Sequence, residues 1–600
     1  MDFWTVALLV LLAYWVGVSW AKARDLLPSF VSSTGPIVTL HTKRGKELLD
    51  RLSKPKRAWR AWGNFGLGVA LVVAAGTLFV LVTSAIGTLA NPPQPSAVNQ
   101  PRNALVIPGV SDFMPLSVAP EIVGGLFIGM VVHEFGHGLM CRVEGITVES
   151  MGVALLAVLP IGAFVEPNEE SQKRADRGAR ARMFAAGVTN NFVVVVIAFA
   201  LLFGPVAGAV GVASGGLVGD VHGDSAAATA GIDAGDRLTA VDGEAVANNT
   251  EFEAALRDSA DRRVTVTRAD GDQVPVDRHL LTTGVAADSP LAAIETGSVL
   301  ASVNGTDVYT EVGLDEAVQN RTVATFETAN GTTVTAPAGA FVTVVPDGPA
   351  ANNGMPAETD AIVTSMAGER VTSRADIQTV LDGLPPGESV ELAAYVDGER
   401  ETYEVELGEQ SDGSSYLGVV IAPGVSGLAV SGFGAQLYPA DSFHALVSGD
   451  VSGSAAISMM LGGGESGVAG FLQGIFAALF LPLLSLLDPT LAFNFPGFAG
   501  VNTNFYVVEG ALGALPAGVT FVFANLLLWT GWINLNLAFF NCIPAFPLDG
   551  GHLLRTVAEA VTSRLPVGDR RSVTQTITTS IGLLMLASLV LMFFGPQLLN

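Results

Sequence analysis

Two histidines and a glutamate within one apolar segment are the side chains of this sequence best suited to chemistry. They are His133, Glu134 and His137, in the order His-Glu-Phe-Gly-His. Residues four apart lie on one face of a helix, so both imidazoles can bind the same metal ion. This spacing favours Zn2+, with the glutamate beside the water that zinc activates. We therefore predict His133 and His137 as metal ligands and Glu134 as the catalytic base, which takes a proton from water and returns it to the leaving amine.

The element that must position these residues is itself unusual for a metal site. An uninterrupted apolar run, residues 122–132, precedes the motif, and apolar residues continue to Met140. A helix of this length and composition is expected to cross a bilayer. Ionisable groups are costly there and usually serve a function. The sequence therefore predicts chemistry inside or near a membrane.

A third ligand is predicted far along the chain, at Asp549. A long apolar segment, 518–543, is followed by Pro544 and Pro547, which should end its helix, and then by Asp549-Gly550-Gly551. A catalytic zinc site has three protein ligands and an open position, and Asp549 completes that number. Taken alone, Asp549 is equally typical of a turn carboxylate that caps the following helix.

Together the two motifs resemble the site-2 protease family of intramembrane zinc metalloproteases. The resemblance rests on His-Glu-Phe-Gly-His and on Asn541-x-x-Pro544 followed by Leu548-Asp549-Gly550-Gly551. It covers residues 119–213 and 518–598 and, more loosely, the polar region between them. It implies hydrolysis of membrane-spanning protein substrates, usually single-span proteins already trimmed by another protease, in regulated intramembrane proteolysis.

The resemblance also implies roles for residues outside the zinc site. Asn541 matches a position thought to bind substrate or the oxyanion. Gly187 and Asn191 match a Gly-x-x-x-Asn element, which gives Asn191 as a substrate-binding residue; close helix packing is the alternative explanation of this pattern. Segment 153–165, too short to span, is expected to be re-entrant, membrane-dipping or a β-hairpin. It matches an edge strand that could hold an extended substrate by β-addition.

Composition indicates a membrane protein with a large polar insert. Half of the 600 residues are apolar, 14 % are charged, and mean hydropathy is +0.47. The formal net charge is −25, from 56 acidic and 31 basic residues, which excludes a basic nucleic-acid surface. Lysine is scarce, so we expect a surface adapted to high salt, as in a halophilic archaeon. Cys141 and Cys542 are predicted as buried thiols, with a fourth metal ligand as the alternative.

The predicted fold class is a polytopic α-helical membrane protein with an inserted α+β, PDZ-like region outside the cytoplasm. Basic residues between 21 and 60, between 142 and 182, and between 552 and 572 place those loops in the cytoplasm, with the active site near that side. The predicted regions are 1–118, an N-terminal pair of spans with a basic loop; 119–213, a membrane core with the histidine motif; 214–421, the polar insert; 422–516, a connector; and 517–600, a membrane core with Asp-Gly-Gly.

The polar insert contains a repeat. Gly243, Gly305 and Gly368 each end a similar four-residue stretch, and a small-residue segment precedes each copy. The first and third copies resemble PDZ domains of the bacterial protease type, and the second is degenerate. We predict three PDZ-like units at 214–284, 285–343 and 344–421; two units and a linker is the alternative.

The connector contains one further apolar segment, 467–487. The polar insert is expected outside the cell, and the 518–543 helix is expected to run from the outside to the cytoplasm. The chain must therefore cross the membrane an even number of times between them. We therefore expect 467–487 to be re-entrant or to lie along the membrane, while a return crossing at 491–508 is the alternative.

Two function classes follow from these patterns. The first is an intramembrane zinc metalloendopeptidase whose partners are the lipid bilayer, single-span substrates and peptide tails on the PDZ-like units. The second is a non-catalytic, PDZ-bearing membrane adaptor with a structural metal. Glu134 favours the enzyme, because a structural site does not need that carboxylate.

Overall fold

The structure is a computed structural model of the chain. It describes residues 3–92, 96–97, 100–103, 106–157, 159–410, 413–449, 470, 474, 478–487, 492–566 and 568–599. The chain forms two compact units. One contains Met1–Gly211, Asp441–Thr503 and Val507–Asn600, and the other contains Val212–Ala440 with Asn504–Tyr506.

The first stretch of the chain builds most of the helical unit. Its elements are α1 (Phe3–Ala23), β1 (Val31–Thr34), β2 (Ile37–His41), α2 (Lys43–Leu52), α3 (Lys56–Ala90), α4 (Ala119–Glu144), β3 (Val148–Leu156), β4 (Leu159–Pro167), α5 (Glu169–Arg174), α6 (Arg177–Leu201) and β5 (Val210–Val212).

The β-rich unit follows. Its elements are β6 (Gly216–Val221), α7 (Ala226–Thr229), β7 (Arg237–Val241), β8 (Glu244–Ala245), α8 (Asn249–Asp258), β9 (Arg263–Arg268), β10 (Gln273–Asp277), β11 (Leu280–Val285), β12 (Val299–Val303), β13 (Thr306–Asp307), α9 (Glu311–Gln319), β14 (Val323–Thr328), β15 (Thr333–Pro337), β16 (Ala340–Val344), α10 (Pro349–Asn352), β17 (Asp360–Met366), β18 (Glu369–Arg370), α11 (Arg374–Asp382), β19 (Ser389–Val396), β20 (Glu399–Glu406), β21 (Gly408–Glu409), β22 (Ser415–Tyr416), β23 (Val419–Ile421), β24 (Leu428–Ser431) and β25 (Ala435–Leu437).

The chain then returns to the helical unit. The remaining elements are α12 (Ala440–Ser448), α13 (Leu484–Leu487), β26 (Tyr506–Val508), α14 (Ala517–Cys542), α15 (Asp549–Thr562) and α16 (Arg570–Leu598). The predicted membrane segment 467–487 lies largely outside the described residues. Its last part, Ala478–Leu487, is a short apolar helix.

Five helices of the described chain are long and apolar enough to cross a membrane. They are Lys56–Ala90, Leu116–Glu144, Arg177–Ala209, Ala517–Cys542 and Arg570–Leu598. These helices lie in regions predicted to hold membrane spans, so the prediction of a multi-helix membrane protein is confirmed. Of the predicted N-terminal pair, only the second span is among the five, and the first corresponds to the shorter apolar helix Leu8–Ala23. Continuous apolar composition over at least 18 residues is a strong signal, because a bilayer leaves backbone polar groups no partner except the helix itself.

Small residues let these helices approach closely. Any Cβ at Gly125 of α4 would lie 3.0 Å from the backbone of Trp529 and Thr530 in α14. A Cβ at Gly136 would lie 2.8 Å from the carbonyl oxygen of Ala186 in α6. Because apolar side chains gain little by leaving lipid, such backbone-to-backbone packing holds spanning helices together.

The short segment between α4 and α6 is a β-hairpin, one of the forms expected for 153–165. Strands β3 and β4 pair antiparallel, with Val153 opposite Ala163. The hairpin belongs to a four-stranded sheet in the order β1-β2-β3-β4, so β4 is an edge strand. The first two strands come from the N-terminal basic loop, for which no strand was predicted. Gly35 there adopts a φ of 61° between two β-rich runs, which is the turn signal that would have identified them.

The β-rich unit contains three six-stranded sheets with the same strand order. They are β10-β9-β7-β6-β25, β15-β14-β12-β11-β24 and β20-β19-β17-β16-β23, and a two-residue strand is added to each. Each sheet also has its own apolar core. The predicted boundaries need one correction, because they made each unit continuous in sequence. The last strand of each sheet instead comes from residues 419–437. The first of these strands, β23, joins the third sheet, β24 joins the second sheet, and β25 joins the first.

Candidate metal centre

Helix α4 presents both histidines to the same point. The Nε2 atoms of His133 and His137 lie 3.0 Å apart, and each side chain is 12 % exposed. The rings are nearly perpendicular, at 83°. The i, i+4 spacing on one helix face is sufficient to produce this pair.

Asp549 is brought to the histidines by the break after α14. Helix α14 ends at Cys542, and α15 begins with Asp549 itself. The two glycines that follow let the first turn of α15 lie against this break. A Cβ at Gly550 would lie 2.3 Å from the carbonyl oxygen of Ile543, and one at Gly551 would lie 2.7 Å from that of Ala545. The sequence Asp-Gly-Gly is therefore required by packing as well as by chemistry.

The three side chains converge. The Asp549 Oδ2 atom lies 3.1 Å from Nε2 of His133 and 3.2 Å from Nε2 of His137. Atoms bound to one tetrahedral zinc at about 2.0–2.2 Å would lie about 3.3–3.5 Å from one another. The observed separations of 3.0–3.2 Å are slightly shorter, so a small outward movement of the side chains accommodates a shared ion. This Oδ2 atom is buried, and beyond the two imidazole nitrogens it has no hydrogen-bond partner among the described residues, as expected of a ligand atom. The same three residues form the one cluster of potential metal ligands found in the described chain.

Each imidazole is oriented by a partner on helix α6. Nδ1 of His137 lies 2.8 Å from the carbonyl oxygen of Met183, so Nδ1 carries the proton and Nε2 offers its lone pair to a metal. Nδ1 of His133 lies 3.3 Å from the side-chain amide of Asn191, which is fully buried. Among the described residues, Oδ1 of this amide has no hydrogen-bond partner. Exchanging the oxygen and nitrogen of the amide places an acceptor at the His133 Nδ1–H.

Gly187 of α6 forms the wall behind both rings. A Cβ at this position would lie 2.6 Å from Nε2 of His137 and 2.8 Å from Cε1 of His133. Only glycine leaves room for the two imidazoles in this arrangement. The Gly-x-x-x-Asn spacing was visible in the sequence, but its contact with the histidines was not.

Glu134 also contacts strand β4. Its Oε2 atom accepts a hydrogen bond of 2.9 Å from the backbone N–H of Val165. Because β3 pairs with β4 on the other side, this N–H belongs to the free edge of the sheet. The candidate base is therefore linked directly to the edge strand.

The other residues considered as site candidates do not belong to the ligand cluster. Asn541 donates a hydrogen bond of 3.0 Å to the carbonyl oxygen of Leu537 in its own helix, and its predicted contact with substrate stays a prediction. Asn191 contacts the candidate ligand His133, and its predicted role in substrate binding stays a prediction. Cys141 and Cys542 are buried free thiols, and neither belongs to the ligand cluster. His552 stacks on Phe184, with ring centroids 4.3 Å apart.

The position of α15 is fixed independently of the ligands. Arg180 of α6 donates from Nη2 to Oε2 of Glu559 at 2.8 Å.

These features define a membrane-embedded helical protein with a two-histidine, one-carboxylate metal centre. The model of Peptidase family M50 matches residues 121–589, and the chain belongs to this family. It is therefore a site-2-type member of a metalloprotease family, and the cofactor of its metal centre is zinc.

Several curated proteins are similar over parts of the chain. An uncharacterised protein of Methanocaldococcus jannaschii is 30 % identical, covering 34 % of this chain and 52 % of its own length. A putative zinc metalloprotease of Agrobacterium fabrum is 29 % identical, covering 23 % and 46 %. The regulator of sigma-E protease RseP of Escherichia coli is 28 % identical, covering 20 % and 33 %. The chain thus spans about half or less of the length of the curated relatives it matches.

Proposed function

We propose that this protein is an intramembrane zinc metalloendopeptidase that cleaves membrane-spanning proteins in regulated intramembrane proteolysis. The observation that carries the proposal is the meeting of His133, His137 and Asp549 next to Glu134, with both histidines on a helix able to span a bilayer. Family membership and the zinc metalloprotease among its relatives support it.

The chain's own residues divide the chemical work. Zinc, when bound by His133, His137 and Asp549, supplies a Lewis acid that polarises the scissile carbonyl and lowers the pKa of water. Glu134 takes the proton of the attacking water and returns it to the leaving amine. Met183 and Asn191 hold the imidazoles in the tautomer that leaves Nε2 free.

The edge strand supplies a place for substrate. A membrane-spanning helix protects its peptide bonds in its own hydrogen bonds, so a substrate must unwind locally before cleavage. An unwound segment can pair with the free edge of β4, next to Glu134. Substrates with helix-breaking residues near the cleaved bond are therefore preferred, and single-span proteins are the expected class.

The remaining parts of the proposal concern placement. Basic residues in the loops after α1, after α4 and after α15 favour a cytoplasmic position for these loops. The metal centre then lies toward the cytoplasm, and the β-rich unit lies outside the cell. We propose that its three sheets are PDZ-like units that bind peptide tails of partners or exclude untrimmed substrates.

The decisive experiment replaces Glu134 by Gln in the full-length protein. We expect zinc content to stay near one ion per chain while cleavage of a single-span reporter with a helix-breaking site is lost. Glu121→Gln, in the first turn of the same helix, is the matched control and should cleave normally. Cleavage by Glu134→Gln at the wild-type rate would refute the catalytic assignment and favour the adaptor with a structural metal. In the source cells, the variant should accumulate single-span membrane fragments detectable by proteomics.

A further inference from the structure

A polar cavity of about 650 Å³ lies in the helical unit, apart from the metal centre. It is lined by the start of α6, the second half of α15 and the first turns of α16, and it is open on one side. Four arginines and one glutamate are its charged lining residues: Arg177, Arg555, Arg570, Arg571 and Glu559. This positive excess stands out in a chain whose formal net charge is −25.

The single carboxylate does not neutralise the cavity. Glu559 already binds two arginines, Arg180 at 2.8 Å and Arg555 at 3.3 Å. Arg177 donates to the hydroxyl of Ser563 at 3.1 Å. Within the described parts of the chain, no carboxylate lies within ion-pair distance of Arg177, Arg570 or Arg571.

The lining chemistry fits a phosphate group. Guanidinium groups pair with phosphate oxygens through two parallel N–H donors, and three of the four arginines have no acidic partner that would compete. The rest of the lining is Phe546, Gln575 and five hydroxyl side chains, and the hydroxyls suit a hydroxylated or phosphorylated ligand; the five are Thr562, Ser563, Thr574, Thr578 and Thr579.

The position of the cavity along the helices indicates where that phosphate comes from. Arg177 is the first residue of α6 and Arg570 the first residue of α16, and both helices are candidate spans. Helix α16 has 29 residues, whereas about 20 cross the hydrocarbon layer, so its first turns lie at the level of lipid headgroups. A free anion is repelled by the acidic chain as a whole, but a lipid is already concentrated at this depth.

We propose that this cavity is a binding site for the phosphate headgroup of an anionic membrane lipid. The lipid's phosphate pairs with Arg570, Arg571 and Arg177, and its polar headgroup atoms meet the hydroxyl lining. The bound headgroup braces α15, the helix whose first residue is the ligand Asp549.

The test measures binding of a short-chain phosphatidylglycerol to the full-length protein in detergent at fixed ionic strength, by native mass spectrometry and thermal shift. We expect tighter binding than for phosphatidylcholine of the same chain length. Each of Arg570→Gln and Arg571→Gln should weaken binding about fivefold. Arg564→Gln is the matched control, since this exposed arginine bonds the carbonyl oxygen of Ala560 and does not line the cavity.

Three results would overturn the proposal. They are equal affinity for the two lipids, equal weakening by Arg564→Gln and Arg571→Gln, and stabilisation by inorganic phosphate at the concentration at which phosphatidylglycerol acts. The last result would assign the site to a free phosphate instead of a lipid. Zinc content of each variant reports folding, so that a misfolded variant is not counted as a loss of lipid binding.

Discussion

At the scale of single residues, the site consists of three potential metal ligands and the polar groups that contact them. His133, His137 and Asp549 offer three acceptor atoms to one point. Buried polar atoms without partners are costly, and the Oδ2 atom of Asp549 meets only the two imidazole nitrogens among the described residues, so a cation between the three would satisfy them all. Residues that hold the imidazoles therefore matter as much as the ligands.

Asn191 provides the first prediction at this scale. Asn191→Ala should weaken zinc affinity about 10–100-fold, because His133 loses the partner that orients its ring. Asn191→Asp keeps an acceptor and should restore most of the affinity. Neighbouring Asn190→Ala is the control, because Asn190 accepts from Trp62 instead. Zinc competition with a chromophoric chelator measures the effect; a raised KM with unchanged zinc affinity would instead assign Asn191 to substrate binding.

Gly187 provides the second prediction. Gly187→Ala adds a methyl group where both imidazoles already lie, so at least about a tenfold loss of bound zinc is expected at limiting zinc. Gly204→Ala adds a methyl group to open space and should bind zinc normally. Metal analysis of the purified variants measures the difference. Full zinc occupancy in Gly187→Ala would show that the rings move aside easily.

At the scale of elements, strand β4 joins the sheet to the metal centre. One edge of β4 pairs with β3. On the other edge, the N–H of Val165 donates a hydrogen bond to the carboxylate of Glu134. Because main-chain groups alternate along a strand, the N–H of Ala163 also faces outward. An added substrate strand would use these outward groups.

Ala163→Pro tests this strand. Proline removes the outward N–H without breaking a bond to β3, which edge strands tolerate. We expect KM for an unwound substrate to rise about 3–10-fold, the effect of one hydrogen bond, with zinc content unchanged. Ala163→Gly keeps the N–H and serves as the control. An unchanged KM in the proline variant would exclude strand addition at this position.

Helix α11 of the β-rich unit provides a prediction about pH. Its capping box joins Ser373 and Asp376, and Thr372 also donates to the Asp376 carboxylate. Burial alone raises the pKa of Asp376, but these hydrogen bonds outweigh burial and lower the pKa below its usual value. The carboxylate therefore stabilises the fold above the pKa it has when unfolded, and that stability is lost as pH falls through the lowered value.

Asp376→Ala should thus destabilise α11 by about 1 kcal/mol at neutral pH. The difference from wild type should shrink below about pH 4, where the unfolded carboxyl becomes protonated. Hydrogen exchange of the α11 amides measures it, with Asp382→Ala at the other end of the helix as the control. A difference that does not change with pH would show that charge is not the cause.

At the scale of the whole molecule, zinc links parts of the chain that are distant in sequence. The histidines belong to α4 and Asp549 begins α15, so the ion cross-links two helices. Binding to the folded state alone stabilises it by about 2.7 kcal/mol when free zinc is a hundred times Kd. The β-rich unit contributes no residue to the ligand cluster identified in the described chain.

Removal of zinc by a chelator should therefore act locally. Hydrogen exchange should increase over 543–552 and around His133, while the three sheets keep their protection. Zinc added back should restore the original pattern, and magnesium should not. Loss of protection throughout the β-rich unit would mean that zinc stabilises much more than the α4–α15 link.

The sequence by itself determined the features that depend on local spacing. The period of the helix places His133 and His137 on one face, and apolar length predicts the long apolar helices found in the structure. The prolines and glycines around Asp549 predicted a break that would expose its carboxylate. The expectation of a halophilic source stays a prediction, since the matched relatives come from both archaea and bacteria.

The tertiary structure alone decided which distant groups meet. Nothing local in the sequence brings the Val165 N–H to Glu134 or the amide of Asn191 to His133. Nor does local sequence show that the sheets are completed by strands from 419–437, because those short strands gain their partners only when the chain returns. Residue spacing determines which side chains share one face of a helix or strand, because those elements have a regular period. Contacts between elements depend on packing, which leaves no periodic pattern in the sequence.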